Sequence, residues 1–500
     1  MSGQSRATGT TIVGATRFLG TILQLISLRE LIQIEEGKLA GLFYFLTATT
    51  VWLAFIDLSI FEGGARQIAI ALGEKNHKKV HDIWHTLVTF GYIHCAISIV
   101  IFVIVGFLVP LNGLGNSERS FNIWVASSLM YSAGFFYTGI TLYFNALKDF
   151  KMIAKLGIFM IVIGSSASLL AVLFTHTLVG YILGITLGLF VSCLVGALAI
   201  RRERINLDHK PKFDRAVFTS CFEFAKRGLV GKCASAVGRT TDRLVIQNSG
   251  GAMKSADFGL GARLPEILND ALPIQRAFSA DLTRADKESP EEFAKLFDHA
   301  SVMSLFAALA LIWIPCSAAE GLLRLYSAKA YSPVMYPILL CFGFYYALEN
   351  LYASFGTAMS AIGQPQKVVP FMLYSGLFLA VFAVPFYNWF GVLGLGYLRV
   401  LVHVIQFVPI IYFVKRVAAP KIEARQWVTR LLQISFLALL IGGVNYLVSM
   451  SSLLQSHPIL SLLLMIISPT IYIIICDRTK LVRIPDAIRN KLPIVNKLCP

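Results

Sequence analysis

The chain has 500 residues, of which 56% are hydrophobic and 14% are charged, and its formal net charge is +16. Runs of about 18 or more apolar residues, long enough to cross a bilayer, recur along the chain and exclude a soluble globular protein. A nucleic-acid-binding protein is also excluded, because the basic residues form neither a zinc-ligand spacing nor an aromatic-interleaved basic domain.

The apolar runs predict about fourteen transmembrane helices. The first run carries Arg17 and is long, so we expect an uncleaved helix and not a signal peptide. The predicted spans are residues 10–31, 39–60, 83–109, 121–147, 152–175, 177–200, 218–247, 255–282, 300–325, 334–361, 367–389, 391–414, 431–452 and 457–476.

The connections between these spans differ sharply in basic residues. One alternating set, which includes both termini, holds 29 Lys and Arg residues, and the opposite set holds four. Because cytoplasmic loops of membrane proteins are enriched in Lys and Arg, both termini are expected in the cytoplasm. The large positive charge therefore serves orientation and contact with anionic lipid headgroups.

The connections on the other side are short, the longest being about residues 109–120. They leave no room for the extracytoplasmic domain that a membrane glycosyltransferase or sugar polymerase uses to hold its acceptor. The chain has no phosphate-binding loop for ATP and no loop with a nucleophile–base or paired-carboxylate arrangement. The sequence therefore predicts that the protein is not an enzyme and needs no cofactor or metal ion.

A charged linker divides the chain after six predicted spans. A second group of six follows, and then two further spans. Both groups start in the cytoplasm, so the sequence favours two related lobes repeated about an axis along the membrane normal. The predicted divisions are an N-terminal lobe 1–200, a linker 201–217, a C-terminal lobe 218–415, two extra helices 416–476 and a basic tail 477–500.

Charged residues form helical stripes on the first two spans of each half. Arg17 lies on such a stripe in span one, and span eight carries Arg263 and Glu266 on one face. Because a charge at the bilayer centre costs about 2.5–3.5 kcal/mol, these side chains must line a hydrated cavity or meet counter-ions. We expect a central cationic cavity between the lobes. The alternative is a set of structural ion pairs, such as Arg263 with Glu266 or Arg239 with Asp242.

Several segments resemble one known family. They are GATRFLGTILQLISLRELI from Gly14, the start of span two at Ala40–Phe43 and its end at Ile56–Ser59, Thr241–Ile246, and FGLGARLPEILNDALPIQRAFSADLTRA from Phe258. These segments are similar to polysaccharide transporters (Wzx-type O-antigen flippases) of the multidrug/oligosaccharidyl-lipid/polysaccharide (MOP) superfamily. The resemblance implies an all-α membrane protein with two six-helix lobes around a cavity. It also implies movement of undecaprenyl-diphosphate-linked sugars to the outer leaflet by alternating access.

A diphosphate that crosses the membrane suits a cationic cavity, because guanidinium groups bind phosphate oxygens through charge-assisted hydrogen bonds. The candidate substrate-binding residues are therefore Arg17, Lys232, Arg239, Arg243 and Arg263. The candidates for proton or sodium coupling are acids whose pKa burial can tune, namely Asp57, Glu266, Asp270 and Glu349. For Glu349, an interior hydrogen-bonded carboxyl is an equally good reading.

The resemblance also implies partners and a location. The partners are a lipid-linked oligosaccharide, membrane lipids, and a polysaccharide polymerase with its chain-length machinery, without nucleic acid. The location is the bacterial inner membrane. Two functions remain as alternatives, a multidrug/cation antiporter of the same superfamily and a lipid II flippase. The excess of basic residues in spans seven and eight argues against a cavity for cationic drugs.

Overall fold

The structure is a computed structural model of the chain, and it consists of helices and short turns. It describes residues 23–24, 26–50, 60–108, 117–147, 149–202, 213–270, 282, 289–362, 364–414, 416, 423–451 and 457–482. Over these residues there is no β-strand, which agrees with the predicted all-α class. The helices group into two compact units, Met1–Ala256 and Asp257–Pro500.

The first unit begins, in the described residues, with helical residues 26–33 and a 3-10 turn, Ile34–Gly37. Seven helices follow, and the last of them continues into the second unit. They are α1 (Lys38–Thr50), α2 (Ile60–Gly73), α3 (His77–Leu108), α4 (Ser117–Ala146), α5 (Phe150–Thr175), α6 (Leu178–Arg202) and α7 (Arg215–Asp270).

Six further helices lie in the described residues of the second unit. The first is extended by a π-helical turn, Leu309–Trp313, and a last turn, Ile314–Ser317. Short 3-10 turns, Ala328–Ala330 and Pro365–Val368, precede two of the others. The helices are α8 (Pro290–Ala308), α9 (Glu320–Ser327), α10 (Met335–Ala361), α11 (Val369–Phe413), α12 (Ala424–Ser449) and α13 (Pro458–Arg478).

Eight helical stretches among the described residues are long and apolar enough to cross a membrane, so the protein is a multi-pass membrane protein. One of them, 366–413, covers two predicted spans. The predicted number of fourteen is not confirmed. Predicted span one and parts of spans two and eight lie largely outside the described residues, and α4 and α7 are not among the eight.

Two glycines interrupt the longest helices at the predicted turns. Gly251 in α7 has a φ of 71° and falls between predicted spans seven and eight. Gly391 in α11 has a φ of 62° and is the first residue of predicted span twelve, directly after the gap that follows span eleven. A positive φ is strained for any residue with a Cβ atom, so glycine is the residue that allows each long helix to change direction.

The predicted domain boundaries stay a prediction. The helical stretch 215–256 belongs to the first unit, where it packs against α1 and α2. A Cβ atom on Gly41 would collide with the backbone of Ala252, and one on Gly63 with the backbone of Cys221. Such backbone-to-backbone approach through small residues is a common way for membrane helices to associate.

Candidate functional site

The helix α7 concentrates charge within a membrane protein. It carries eight basic and five acidic residues along 56 residues, and three of the predicted substrate-binding residues lie in its first part. Charged side chains within membrane proteins face the protein interior or a water-filled cavity, pair with one another, and mark pathways for ions or substrates. We therefore describe the charged residues of each unit separately, starting with α7.

In the first unit, Arg243 reaches the helix α1. Its Nη1 donates to the backbone carbonyl of Tyr44 at 3.4 Å. The neighbouring carboxylate of Asp242, which is only 4% exposed, accepts the Arg243 backbone N–H at 2.8 Å. Arg243 is half-buried and has further partners, so it is held in place and not free to sample lipid.

Several predicted site residues lie outside the described part of the chain, either entirely or with their side chains. Arg17 and Asp57 are outside it entirely, whereas Lys232, Arg239 and Asp270 have described helical backbones. The side chains of those three are not described, so the alternative pair of Arg239 with Asp242 stays a prediction. The assignments of all five residues to substrate or ion binding stay predictions as well.

In the second unit, Arg263 and Glu266 form the ion pair that the sequence suggested as the structural alternative. Arg263 Nη1 lies 3.0 Å from Glu266 Oε2, with one turn of helix between the residues. The side chains are 25% and 28% exposed. A predicted substrate-binding residue is thus joined to a predicted ion-coupling residue, and an anion that binds Arg263 Nη1 would compete with Glu266.

The helix α10 brings a second predicted acid close to this pair. Asn350 Nδ2 donates to Asn269 Oδ1 at 2.6 Å and to the Tyr346 carbonyl at 2.9 Å, which ties α10 to the end of α7. Glu349 directly precedes Asn350 in α10, and Glu266 lies one helical turn before Asn269 in α7. The structure therefore places the turn of α10 that carries Glu349 against the part of α7 that carries Arg263 and Glu266.

The sequence analysis missed two buried polar residues of α11 that contact α10. Arg399 is 5% exposed, and its guanidinium carbon lies 5.2 Å from the centre of the Tyr345 ring and 5.4 Å from that of Phe342. The ring of His403 stands edge-on to Tyr345 at 4.7 Å, and its Nδ1 donates to the Arg399 carbonyl at 3.1 Å.

A sequence signal for these residues existed. Arg399, His403 and Gln406 follow one another at spacings of four and three, which places them on one face of a helix. All three are buried in the structure. A hydropathy analysis does not detect these three residues, because their span is otherwise strongly apolar. A search for polar residues on a common helical face would have found them.

A metal site is not apparent in the described part of the chain, where no group of three or more His, Cys, Asp or Glu side chains could hold an ion. His81 and His85 come together at the start of α3, with 3.0 Å between their Nε2 atoms. One of the two imidazoles donates to the other in this contact. The pair is therefore a local hydrogen bond that steadies the first turns of the helix.

Comparison with known protein families identifies a relationship over more than half of the chain. The model of a family described as "Polysaccharide biosynthesis protein" matches residues 43–326, which is more than half of the chain. A search of curated protein sequences finds no match.

Solved structures with a similar fold cover nearly the whole chain. The lipid II flippase MurJ in an inward closed conformation aligns with a TM-score of 0.66 at 14% identity, covering 94% of this chain and all of that one. A multidrug resistance MATE family transporter of the MOP superfamily, in an inward-facing conformation, aligns with a TM-score of 0.57 at 13% identity. That match covers 84% of this chain and 99% of the transporter.

A third similar structure is a MOP superfamily transporter from Pyrococcus furiosus, described as having a binding pocket of reverse polarity. It aligns with a TM-score of 0.54 at 14% identity, covering 82% of this chain and 96% of that one. At such low identity these likenesses establish the fold alone. That fold is the one of MOP transporters, as the sequence predicted.

Proposed function

We propose, from the premise that this chain belongs to the polysaccharide biosynthesis protein family, that it is a flippase for undecaprenyl-diphosphate-linked oligosaccharide. The cargo would be a repeat unit of O-antigen or another surface polysaccharide. Movement would run by alternating access from the cytoplasmic to the periplasmic leaflet of a bacterial inner membrane, with both termini in the cytoplasm. No chemical bond is made or broken in this process, so no enzymatic activity is expected.

The observation that carries the proposal is the charge of α7. Its bases exceed its acids by three within a chain whose other long helices are mostly apolar. A lipid diphosphate is the kind of cargo that needs such a helix, because its charge loses hydration on the way across the bilayer. Fixed guanidinium and ammonium groups replace part of that hydration.

The proposed diphosphate-binding residues are Arg17, Lys232, Arg239, Arg243 and Arg263. In the second unit, phosphate oxygens that bind Arg263 would displace the carboxylate of Glu266 from its 3.0 Å contact. The released carboxylate would then be ready to take up a proton or a sodium ion. Substrate binding and ion coupling, by Asp57, Glu266, Asp270 or Glu349, would in this way be linked through one ion pair.

The test is a deletion of the gene followed by complementation, with the cellular pool of lipid-linked oligosaccharide as the readout. Deletion should cause undecaprenyl-diphosphate sugars to accumulate on the cytoplasmic face and surface polysaccharide to disappear. The wild-type gene should reverse both effects. Variants R239A and R263A should fail to do so, since each removes a proposed phosphate ligand.

A matched control lies on the same helix. Lys226 pairs with Glu223 at 2.5 Å near the start of α7, and both side chains are about half exposed. We expect K226A to complement as well as the wild type, because an exposed pair of this kind contributes little to stability or binding. Full complementation by R239A and R263A would refute the site assignment.

The deletion experiment also separates the alternatives. An unchanged oligosaccharide pool together with altered resistance to cationic drugs would indicate a cation antiporter. Accumulation of the peptidoglycan precursor instead of an oligosaccharide carrier would indicate a lipid II flippase.

Partnership with a polysaccharide polymerase and its chain-length machinery follows from the proposed function and would be tested by co-purification.

A further inference from the structure

A charged group that the proposed function does not use lies in the second unit, on α9 and the turn that follows it. Glu320 is the first residue of α9, and its side chain is only 6% exposed. Its Oε1 accepts hydrogen bonds from Arg324 Nη2 at 2.8 Å, from Arg324 Nε at 3.2 Å and from the Tyr331 hydroxyl at 3.1 Å. A guanidinium and a phenol thus compensate the buried carboxylate. We call Glu320, Arg324 and Tyr331 the α9 triad.

The contacts of Arg324 use one edge of its guanidinium. A guanidinium carries N–H donors on two edges of one plane, and the edge formed by Nε and Nη2 faces Glu320. The other edge, formed by Nη1 and Nη2, meets no acceptor among the described residues. The Arg324 side chain is 37% exposed, although its partner is buried. A ligand outside the protein can therefore reach the second edge.

The guanidinium is also fixed in direction. Its carbon atom lies 4.4 Å from the centre of the Tyr331 ring, within the range of a cation–π contact. The turn that brings Tyr331 back to Arg324 contains Ala328 with a φ of 47°, a strained value for a residue with a Cβ atom. The Tyr331 N–H donates to the Ala328 carbonyl at 3.2 Å. Such strain persists where the surrounding structure imposes it, and here it holds an aromatic ring against an arginine.

An anion with several oxygens suits this arrangement. An arginine held on one edge and open on the other offers two parallel N–H donors, the geometry that binds phosphate oxygens. The charge balance also favours an anion, because Glu320 offsets Arg324 and the exposed Lys329 on the turn adds a positive charge. The predicted outer connections hold only four basic residues, and Lys329 is one of them. The rule that orients the protein in the membrane does not account for two bases at this place.

The position of α9 favours a phosphate group that a lipid carries. Arg324 and Leu325 are the last residues of predicted span nine, where the hydrocarbon of the bilayer meets the headgroups. Leu325 is 45% exposed, whereas Leu323 and Tyr326 on the same helix are buried. An exposed leucine next to an exposed guanidinium matches a ligand with an apolar tail and an anionic headgroup.

We propose that the α9 triad and Lys329 bind the phosphate group of a lipid on the predicted outer side of the second unit. Arg324 binds the phosphate oxygens through Nη1 and Nη2, Glu320 and Tyr331 position the guanidinium, and Lys329 adds charge. The phosphate group belongs either to a phospholipid of the outer leaflet or to the diphosphate of cargo that has crossed the bilayer. Only the second source rests on the proposed function, and it would make the triad an exit contact for the cargo.

The experiment is hydrogen–deuterium exchange of the purified full-length protein in a maltoside detergent and a phosphate-free buffer. Exchange is followed by mass spectrometry in peptides that cover residues 318–333, so that the candidate phosphate ligands on α7 do not contribute to the readout. Four probes are titrated separately. Farnesyl diphosphate and dioleoylphosphatidylglycerol carry both a tail and a phosphate group, farnesol carries the tail alone, and inorganic pyrophosphate carries the phosphate groups alone.

The variants keep the buried carboxylate compensated. R324K retains a positive charge beside Glu320 but lacks the second edge of the guanidinium. R324Q/E320Q replaces the ion pair by two neutral amides, so that no buried charge is left without a partner. The control is R416A, because Arg416 is also an arginine above a tyrosine, 4.8 Å from the ring centre of Tyr412, but lies at the predicted cytoplasmic end of its span.

We expect phosphate-bearing lipid to slow exchange in residues 318–333 of the wild type and of R416A. The apparent affinity should fall about tenfold in R324K, and the protection should disappear in R324Q/E320Q. Farnesol should give no protection, and pyrophosphate should act only at much higher concentration. Tighter binding of farnesyl diphosphate would support the site with cargo as its ligand, and tighter binding of phosphatidylglycerol would support it with a phospholipid.

Three results would overturn the proposal. They are binding to folded R324K that equals wild-type binding, equal protection by farnesol and farnesyl diphosphate, and protection by pyrophosphate at the concentrations at which the lipids act. R324K decides the matter even if the double variant does not fold. Because exchange reports local binding and not transport, a protein that fails the oligosaccharide test could still bind a phospholipid here, and the two proposals can fail independently.

Discussion

Two parts of the molecule hold apolar helices together by different means. In the first unit, α5 and α6 approach through glycine and serine. Cβ atoms on Gly184 and Gly188 would collide with the opposite backbone, and the Ser192 hydroxyl donates to the Leu156 carbonyl at 3.0 Å. This pair carries no charged residue between Lys155 and Arg201.

In the second unit, α12 is attached through long polar and aromatic side chains. Trp427 Nε1 donates to Ser301 Oγ at 2.9 Å, and Arg430 binds both oxygens of Asp298 at 2.7 Å and 2.8 Å. Further along, Asn445 Nδ2 donates to Ser317 Oγ at 3.0 Å. The hydroxyl of Ser468 on α13 donates to Asn445 Oδ1 at 2.8 Å.

These two regions show two ways in which helices associate in a membrane. In lipid the hydrophobic effect does not drive helix association, so association must come from close packing or from hydrogen bonds. The pair α5–α6 uses the first means and α12 mostly the second. The two C-terminal helices are thus a fixed part of the second unit, and each kind of attachment can be broken separately.

The largest effect is expected from Trp427→Ala. Trp427 is 2% exposed, so removal of its ring leaves a cavity between α12 and α8 and takes away the bond to Ser301. The free energy of unfolding should fall by about 3–5 kcal/mol, measured by denaturation in detergent. W427F, which keeps most of the ring volume, should lose roughly 1 kcal/mol. Equal losses in both variants would contradict this account.

Gly184→Leu should have the next largest effect, on the other kind of attachment. A side chain there must push α5 and α6 apart at Ser168, at a cost of about 1–3 kcal/mol. The matched control is Gly443→Ala on α12, where a Cβ atom meets nothing within 4 Å. That control should be neutral or more stable, since alanine favours a helix over glycine by about 1 kcal/mol. If Gly184→Leu is as stable as the wild type, the helices α5 and α6 are not closely packed at this point.

Arg430→Ala should have a smaller effect, because the Arg430 side chain is 39% exposed. We expect a loss of about 0.5–1 kcal/mol that shrinks at high salt, as an exposed ion pair requires. Arg425→Ala is the control, since Arg425 is an exposed arginine on the same helix. If the two variants are indistinguishable, Trp427 alone anchors this end of α12.

The smallest effect concerns the connection between α9 and α10. Burial, together with the charge of Glu320, raises the pKa of Tyr331 to about 12, and the hydroxyl donates to Glu320 Oε1 at 3.1 Å. The folded state therefore holds this proton more tightly than the unfolded state does. The stabilisation is fully present below about pH 10 and is lost as the pH rises through about 12. The stability of Y331F should fall less over this range, which a pH series of unfolding temperatures would show.

The sequence was most informative about fold class and family, because hydropathy and family resemblance are both read over long stretches of chain. The all-α membrane class, the MOP fold and a relationship to a polysaccharide biosynthesis family were predicted and are confirmed. The turns at Gly251 and Gly391 fall at boundaries of predicted spans, because a break in apolar character coincides with a residue that tolerates a positive φ.

Side-chain partnerships were less accessible to sequence analysis. Arg263 was assigned to substrate and Glu266 to ion coupling, and their ion pair was named only as the alternative, since spacing allows a contact without requiring it. Arg399 escaped notice because what matters is a contact with α10, some fifty residues away in sequence. The substrate-binding and ion-coupling roles remain predictions, to be settled by the variants proposed above.

The charge of α7 also bears on how the protein is made. We expect α7, with its eight basic residues, to insert inefficiently from the translocon into the bilayer, because each charge at mid-membrane opposes insertion. Neighbouring helices would have to receive it during synthesis, and the backbone contacts of Gly41 and Gly63 with this segment provide such a docking place. A bulky residue at either glycine would then act first on biogenesis, leaving the chain in the membrane with one segment uninserted and exposed to quality-control proteases.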